Sequence, residues 1–287
     1  MAKDLRSIVR KITDLPTLPQ VVTVILALID NPDSSAEDVN RVMEKDPALV
    51  GKILKLVNSA YYGLPNKINA VRQAIVILGF STVKSLAISA SVFDMFDETK
   101  ASDFNREDFW AHSIGCAAVG RLVGRREPGV DEETAFVVSL LHDLGKMVLD
   151  QYAPDEFAEI LTLAKERGGA FWEVEGEVLD TNHAEIGAWL AERWGLSEEL
   201  RNGIQFHHRV AEAPEGIGQV LASVAAFADY IVLQKGVGAS GNYGKPELDR
   251  EAWARLSLKR DDLPKFIETV TQELEKTDVF FSAAGIG

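Results

Sequence analysis

The residues of this chain with the clearest chemical potential lie in one apolar stretch, residues 134–150. His142 and Asp143 are adjacent there, and Lys146 follows about one helical turn later. The surrounding residues are apolar on all sides, which predicts a buried helix with the polar pair in its middle. A buried carboxylate beside an imidazole is costly unless something pairs it. A metal ion would do so, because neutral imidazole and carboxylate are common metal ligands.

The same pair has an interpretation without a metal. Asp143 could hold a neighbouring His or Arg in a polar contact between two helices, and the stretch alone does not favour the metal site. The distribution of the other histidines bears on the choice. Each histidine lies in or at the edge of a predicted helix, and Asp229 lies inside an apolar segment, 220–233, predicted to be a buried helix. The five histidines are His112, His142, His183, His207 and His208.

Local signals around four of these histidines leave alternatives open. Asp108, His112 and Cys116 are spaced four apart and share a helix face. Cys116 is interpreted as a small buried core residue. His183 occupies the first turn of a helix, whose partial positive charge suits a neutral, ligating imidazole but equally a histidine bonded to backbone. His207 and His208 are predicted to end a helix that starts at Ser197, where adjacent side chains point about 100° apart.

Composition limits the classes of protein. A chain of 287 residues with 46% hydrophobic residues suggests one large or two medium domains with a sizeable core. No apolar run reaches the ~20 residues of a spanning helix, and the first residues lack a signal peptide's apolar segment. One cysteine excludes an internal disulfide and fits a cytoplasmic location. The net charge of −14 disfavours general nucleic-acid binding and docking on anionic membranes.

Periodicity and capping signals predict helices and no strand. Ser35 opens a capping box with Asp38, and Asp46 followed by Pro47 is a second helix start. Residues 237–245, with three glycines, predict a flexible loop, and 247–277 predict amphipathic helices that cap the domain. Helices are predicted over 4–14, 21–29, 35–44, 46–58, 69–79, 81–96, 107–123, 134–150, 154–167, 183–194 and 197–208, with a loop over 97–106.

Two sets of motifs together resemble one family, HDOD (HD-related output domain), of bacterial signalling proteins. The first set is Leu-Pro-Thr-Leu-Pro-Gln-Val (15–21), Asp-Pro-Ala-Leu (46–49), Asn-Ser-Ala-Tyr-Tyr-Gly (58–63) and Ala-Ile-Val-Ile-Leu-Gly (74–79). The second set is His-Asp-Leu-Gly-Lys (142–146), His-Ala-Glu-Ile-Gly-Ala-Trp-Leu (183–190) and Trp-Gly-Leu (194–196). The resemblance covers roughly residues 5–235.

The resemblance implies an all-α fold, in which an N-terminal helical bundle packs on an HD-type helical domain. The expected divisions are an N-terminal bundle over 1–98, an HD-like domain over 99–236, and a loop with C-terminal capping helices over 237–287. Members of the family are generally regulatory and often accompany receiver or cyclic-dinucleotide domains. The sequence shows no receiver, diguanylate cyclase or DNA-binding segment, so any input is expected to come from a partner protein or from a ligand bound between the two halves.

The related HD and HD-GYP hydrolases also imply a ligand set. Their order of metal ligands is matched by His112, His142, Asp143, His183, His207, His208 and Asp229, with Asp143 as the natural bridge. Asp108 stands where some HD-GYP proteins have a further acidic ligand, and Lys146 matches a lysine expected near substrate phosphate. One or two divalent ions are expected, and mixed His/carboxylate ligation suits iron, manganese or zinc.

The sequence also departs from the HD-GYP enzymes. Residues 209–216 replace their Asp-Gly-x-Gly-Tyr-Pro loop, which argues against cyclic di-GMP hydrolysis. Three interpretations result. We favour a cytoplasmic regulatory protein with a retained metal site that binds signalling partners or a nucleotide or other phosphoester. The alternatives are an active metal-dependent phosphohydrolase, with Asp143 and Lys146 as its catalytic residues, and a metal-free helical scaffold.

Overall fold

Every regular element in the described part of the chain is helical. The computed structural model describes residues 17–96 and 104–285. This confirms the all-α prediction. The helix predicted over 4–14 and most of the loop predicted over 97–106 lie outside the described residues.

The first half of the described chain contains short helices whose starts follow the sequence signals. Ser35 and Asp38 form the reciprocal capping box, and Asp46 accepts a hydrogen bond from Leu49 N at 3.0 Å. Gly79 ends a helix with φ at +87°, a conformation that favours glycine. The helices are α1 (Gln20–Ile29), α2 (Ala36–Met43), α3 (Pro47–Val57), α4 (Val71–Leu78) and α5 (Phe80–Met95).

The second half is built around α6, which is buried along most of its length. Small residues let α7 approach it closely. A Cβ atom at Gly120 would lie 2.1 Å from Ser139 Oγ. The helices are α6 (Arg106–Gly124), α7 (Glu132–Leu141), α8 (Leu144–Tyr152), α9 (Pro154–Arg167), α10 (Phe171–Leu179), α11 (His183–Arg193), α12 (Glu198–Gln205), α13 (Ile217–Lys235), α14 (Arg250–Arg255) and α15 (Leu263–Ala284).

The single helix predicted over 134–150 is instead two helices, α7 and α8. The chain turns at His142 and Asp143, and Asp143 has φ −98° and ψ 2°. The turn brings Gly145 against the start of α11, where a Cβ atom would lie 2.1 Å from the His183 carbonyl oxygen. Apolar periodicity continues through the turn, so it does not reveal this break.

Two further differences affect the site. The helix predicted to reach His208 ends at Gln205, so His207 and His208 lie in a turn and the 100° helical separation does not apply. Their ring centroids are 3.9 Å apart. Helix α10 is not among the predicted helices, and it packs against α9 and α11.

One helix of the described residues, α13, is long and apolar enough to cross a membrane by length and composition. In the sequence no apolar run reaches the ~20 residues of a spanning helix, and Asp229 lies within this helix. In this fold 61% of its most apolar window is buried, and α13 packs on α6, α7 and α12. A core helix passes the same composition test, so this is weak evidence for a membrane span.

The two halves meet through buried side chains as well as helix packing. Helix α5 packs on α7, and α15 packs on both α6 and α3. Arg121 on α6 is almost fully buried and pairs with Glu133 on α7 at 2.7 Å. The domain boundaries at residues 98 and 236 stay predictions.

Candidate metal centre

The seven residues predicted as metal ligands converge from five places in the second half of the chain. They come from α6, the α7–α8 turn, the first turn of α11, the turn after α12, and α13. Within each of two groups the donor atoms lie within 4.8 Å of one another. One group contains His112, Cys116, His142 and Asp229, and the other contains Asp143, His183, His207 and His208.

Hydrogen bonds orient three of the imidazole rings. His142 Nδ1 lies 2.7 Å from Ser139 O, and His207 Nδ1 lies 2.7 Å from Ile204 O. Both carbonyls accept, so each Nδ1 carries the proton and each Nε2 presents a lone pair to the centre. A hydrogen bond from Nδ1 that fixes the tautomer is the usual support of a metal-binding histidine.

His183 is held by a carboxylate instead of a carbonyl. Its Nδ1 donates to Glu175 Oε2 at 2.5 Å, and its backbone N donates to the same oxygen at 3.0 Å. His183 Nε2 faces His208 Nε2 and Asp143 Oδ1, each at 2.9 Å. Lone pairs on these three atoms would repel one another at such distances, so a shared proton or a metal ion must lie between them.

Asp143 lies at the centre of the second group. Lys146 donates to its Oδ2 at 2.8 Å, and the side chains of both residues are buried. Burial alone would raise the pKa of the Asp143 carboxyl, but Lys146 and the adjacent histidines hold it well below its ordinary value. The carboxylate is therefore charged and available as a ligand.

The first group is centred on Asp229. Its Oδ1 lies 3.0 Å from His112 Nε2 and 3.9 Å from His142 Nε2. Burial opposes ionisation of Asp229, but the contact with His112 outweighs it and lowers the pKa of the carboxyl. Cys116 Sγ lies 3.4 Å from His112 Nε2, and burial, together with the charge on Asp229, raises the pKa of the thiol well above its ordinary value.

Most of the histidines are held neutral. Burial lowers the pKa of His142, lowers that of His207 to about 3, and lowers that of His208 well below its ordinary value. Burial acts on His183 in the same direction, but Glu175 and Asp143 outweigh it and raise its pKa. Neutral imidazoles are the form that metal ions bind.

Four buried ligand atoms at the centre form no well-directed hydrogen bond, although two of them, both carboxylate oxygens, lie close to imidazole nitrogens. Native interiors leave few such atoms, so each one needs an explanation. Two are imidazole nitrogens and two are carboxylate oxygens, which is the donor chemistry of iron, manganese or zinc sites. These residues therefore fit the predicted ion. The atoms are His142 Nε2, His207 Nε2, Asp143 Oδ1 and Asp229 Oδ1.

The centre opens into a cleft of about 650 Å³, which His207, His208 and Asp229 help to line. Residues 168–173 form one wall. Residues 242–249, within and just beyond the predicted flexible loop, form another wall. Trp172 stacks on His208 with ring centroids 5.9 Å apart. A ligand in this cleft would therefore contact both an aromatic wall and the exposed side of the centre.

Two residues proposed from the resemblance are placed differently from the others. Lys146 is fully buried, pairs with Asp143, and does not line the cleft. Its predicted contact with phosphate stays a prediction, and its geometry favours a role in holding Asp143. Asp108 is exposed, accepts a hydrogen bond from Asn105 Nδ2 at 2.7 Å, and belongs to neither donor group.

Sequence reasoning missed Glu175, although a signal for it exists. Phe171, Val174 and Leu179 keep helical spacing and are buried, and Glu175 lies on the same face. A carboxylate on the apolar face of a helix needs a buried partner. Its partner, His183, is the next histidine in the chain.

Comparisons with known proteins agree with this architecture. The HDOD domain family matches residues 15–210. An uncharacterized protein of Treponema pallidum (strain Nichols) is 31% identical over 221 residues, which are 76% of this chain and 42% of that protein. This chain therefore spans less than half the length of that relative.

Two solved structures are similar over nearly the whole chain. An HDOD domain protein of unknown function from Geobacter sulfurreducens has 26% identity and a TM-score of 0.79, covering 97% of this chain and 95% of that one. A candidate phosphohydrolase from Shewanella amazonensis SB2B has 25% identity and a TM-score of 0.77, covering 96% and 97%. Since the family match covers about two thirds of the sequence, this chain belongs to the HDOD family.

Proposed function

We propose that this protein is a regulatory signal-transduction module that holds one or two divalent transition-metal ions and acts by binding a ligand or a partner protein at the adjoining cleft. The observation that carries the proposal is the set of four buried donor atoms without hydrogen-bond partners. They face one centre, and that centre borders the cleft of about 650 Å³.

Each residue of the centre has a definite task in this proposal. Asp143 would bridge the two donor groups, since it lies 3.5 Å from His142 Nε2 in the first and 2.9 Å from His183 Nε2 in the second. Glu175 and Lys146 would position His183 and Asp143 without touching a ligand. A bound divalent ion supplies Lewis acidity, which polarises a phosphoryl oxygen or lowers the pKa of water.

The charge of the cleft favours a regulatory function over hydrolysis of polyanions. Its lining includes four carboxylates and one lysine, Lys245, besides the two histidines. Such a surface repels highly charged phosphates, apart from the contribution of the ions. Lys146, the lysine expected near phosphate, is already paired with Asp143. The carboxylates are Glu173, Asp229, Glu247 and Asp249.

A metal-dependent phosphohydrolase is the second candidate. Two observations favour it: the donors His207, His208 and Asp229 are reachable from the cleft, and the similar Shewanella amazonensis protein is described as a candidate phosphohydrolase. In this case Asp143 would hold the ions that activate water, and Lys146 would act by keeping Asp143 charged.

Elemental analysis of the purified, untagged chain tests the proposal. We expect one or two equivalents of transition metal, and we expect the double variant His142→Ala/Asp143→Ala to lose them. Asp155→Ala is the control, because Asp155 is an exposed carboxylate on α9 that belongs to neither donor group. It should keep the full metal content.

Assays with a panel of phosphoesters then separate the candidates. Bound metal without turnover of any phosphoester supports the regulatory module. Turnover that disappears in the double variant would establish the hydrolase instead. A wild-type chain that takes up no metal, even after anaerobic reconstitution with iron, manganese or zinc, would overturn both and leave a metal-free scaffold.

A further inference from the structure

The single cysteine of this chain lies inside the first donor group. Cys116 is one turn after His112 on the same face of α6, and its side chain is fully buried. Its Sγ lies 3.4 Å from His112 Nε2. His142 and Asp229 complete a group in which all donor atoms lie within 4.8 Å of one another. The sulfur therefore lies among nitrogen and oxygen donors and not only among apolar side chains.

The separations within this group fit a tetrahedral ion site. Metal–sulfur bonds of about 2.3 Å and metal–nitrogen bonds of about 2.0–2.1 Å place two tetrahedral ligands about 3.5 Å apart. The sulfur-to-nitrogen distance from Cys116 to His112 is 3.4 Å. The distances from Asp229 Oδ1 to the two imidazole nitrogens, 3.0 and 3.9 Å, lie on either side of that value.

A second observation points to a ligand independently of the cysteine. His142 is fully buried, and its Nε2 has no hydrogen-bond partner although its Nδ1 is held by Ser139 O. The ring is thus fixed with a lone pair aimed into the group. A cysteine that only fills space in the core does not need an unpaired imidazole lone pair in its group. An ion bound by Cys116 would also take up the lone pair of His142 Nε2.

We propose that Cys116 is a thiolate ligand of the ion held by His112, His142 and Asp229, and that it makes this position select zinc, cobalt or ferrous iron over manganese or magnesium. This inference rests on the proposed function, since it needs an ion in the group. Thiolate is a soft ligand that favours thiophilic ions. When the ion binds, one sulfur–metal bond forms and the thiol proton leaves to solvent, so no oxidant or reductant takes part.

Cobalt substitution of the full chain tests the inference directly. The protein is stripped with a chelator, reconstituted anaerobically with Co²⁺, and examined by ultraviolet and visible absorption. Because the chain has one cysteine, any thiolate-to-cobalt charge-transfer band in the near ultraviolet comes from Cys116. We expect this band in the wild type and its loss in Cys116→Ser, which keeps the size of the side chain and the remaining donors.

Competition between ions provides a second measurement. We expect the preference for zinc over manganese to fall at least about 10-fold in Cys116→Ser, because a hydroxyl is a harder ligand than a thiolate and even a residue that only supports a ligand contributes about 10- to 100-fold to metal affinity. Cobalt bound by the wild type without the charge-transfer band would overturn the inference and leave the proposed function standing. A wild type that binds no cobalt and no other metal would overturn both.

Discussion

At the scale of single residues, two histidines of the candidate centre are held in the same way, by the end of the helix that precedes them. His142 and His207 each follow a helix directly or by one residue, and each donates from Nδ1 to a carbonyl three residues earlier. These carbonyls belong to the last turns of α7 and α12, and the carbonyl groups of a last turn have no hydrogen-bond partner within the helix. The ring satisfies the helix end, and the helix end fixes the ring with Nε2 toward the centre.

Glu175 is the residue for which we predict the clearest effect outside the ligand set. Replacing it with Gln removes the charge that His183 Nδ1 contacts at 2.5 Å. We expect the affinity for zinc to fall about 10- to 100-fold, because the carboxylate orients the ring and increases its basicity. Chelator competition measures this. Glu177→Gln, on the exposed face of the same helix, should leave the affinity unchanged; an equal loss there would contradict the assignment.

The neutral histidines also predict how stability depends on pH in the metal-stripped protein. An unfolded histidine has a pKa of about 6.5, whereas that of folded His207 is about 3. Below pH 6.5 the unfolded chain therefore takes up a proton that the folded chain does not. Stability is full above pH 6.5 and falls toward pH 3, by up to about 1.4 kcal/mol per pH unit for each such group.

His142 and His208 act in the same direction as His207, and His183 acts in the opposite one. Because the pKa of His183 is raised, its contribution is present below pH 6.5 and is lost as the pH rises through the folded value. We expect urea unfolding with chelator at pH 7 and pH 5.5 to show less loss of stability in His207→Gln than in the wild type. Equal losses in the two proteins would contradict the role of His207.

At the scale of elements, the position of α8 against α11 decides whether the donors meet. Gly145 allows the two helices to come this close, because its α-carbon lies against the backbone of His183 and leaves no room for a methyl group. The glycine therefore sets the distance between Asp143 and His183, which come from different elements. The turn at His142 and Asp143 places Gly145 in this contact.

Gly145→Ala should both destabilise the protein and weaken the centre. A Cβ atom 2.1 Å from the His183 carbonyl oxygen must displace backbone, and overpacking of this kind costs about 1–3 kcal/mol. Urea unfolding and metal content measure the two effects. Gly51→Ala is the matched control, since nothing lies within 4 Å of a Cβ atom at that helical position. It should stabilise the protein by about 0.5–1 kcal/mol.

At the scale of the whole molecule, a buried ion pair joins the two halves. Glu133 on α7 accepts hydrogen bonds from Arg121 at 2.7 Å and from Ser85 on α5 at 2.6 Å. Arg121 also donates to Tyr61 at 3.1 Å and lies over the ring of Phe136 at 4.3 Å. Ser85 and Tyr61 of the first half thus contact the charged side chains of Glu133 and Arg121 in the second half. Buried polar contacts therefore couple the two halves.

Glu133→Gln should cost about 3–5 kcal/mol, because it leaves Arg121 buried without its counter-charge. Urea unfolding followed by circular dichroism measures the loss. The neighbouring Glu132→Gln removes an exposed pair with Arg125 and should cost less than about 1 kcal/mol. The double variant Arg121→Met/Glu133→Leu should recover part of the loss. Equal effects of the two single substitutions would show that the pair does not couple the halves.

The amino-acid sequence by itself determined the helical class and many helix boundaries. Ser35, Asp46 and Asn182 each cap a helix through a bond to the residue three positions later, so short segments contain the whole signal. The family resemblance supplied the seven candidate ligands and their order, and the structure brings all seven together. Their role as ligands stays a prediction.

Only the tertiary structure decided the details on which the chemistry depends. The turns at His142 and His207, the buried partner Glu175, and the position of Cys116 among the donors all require contacts between segments far apart in the chain. Local patterns report which residues share a helix face, but not which faces meet. Two backbones touching at Gly145 and His183, 38 positions apart, place the donors together, and that contact exists only once the helices have packed.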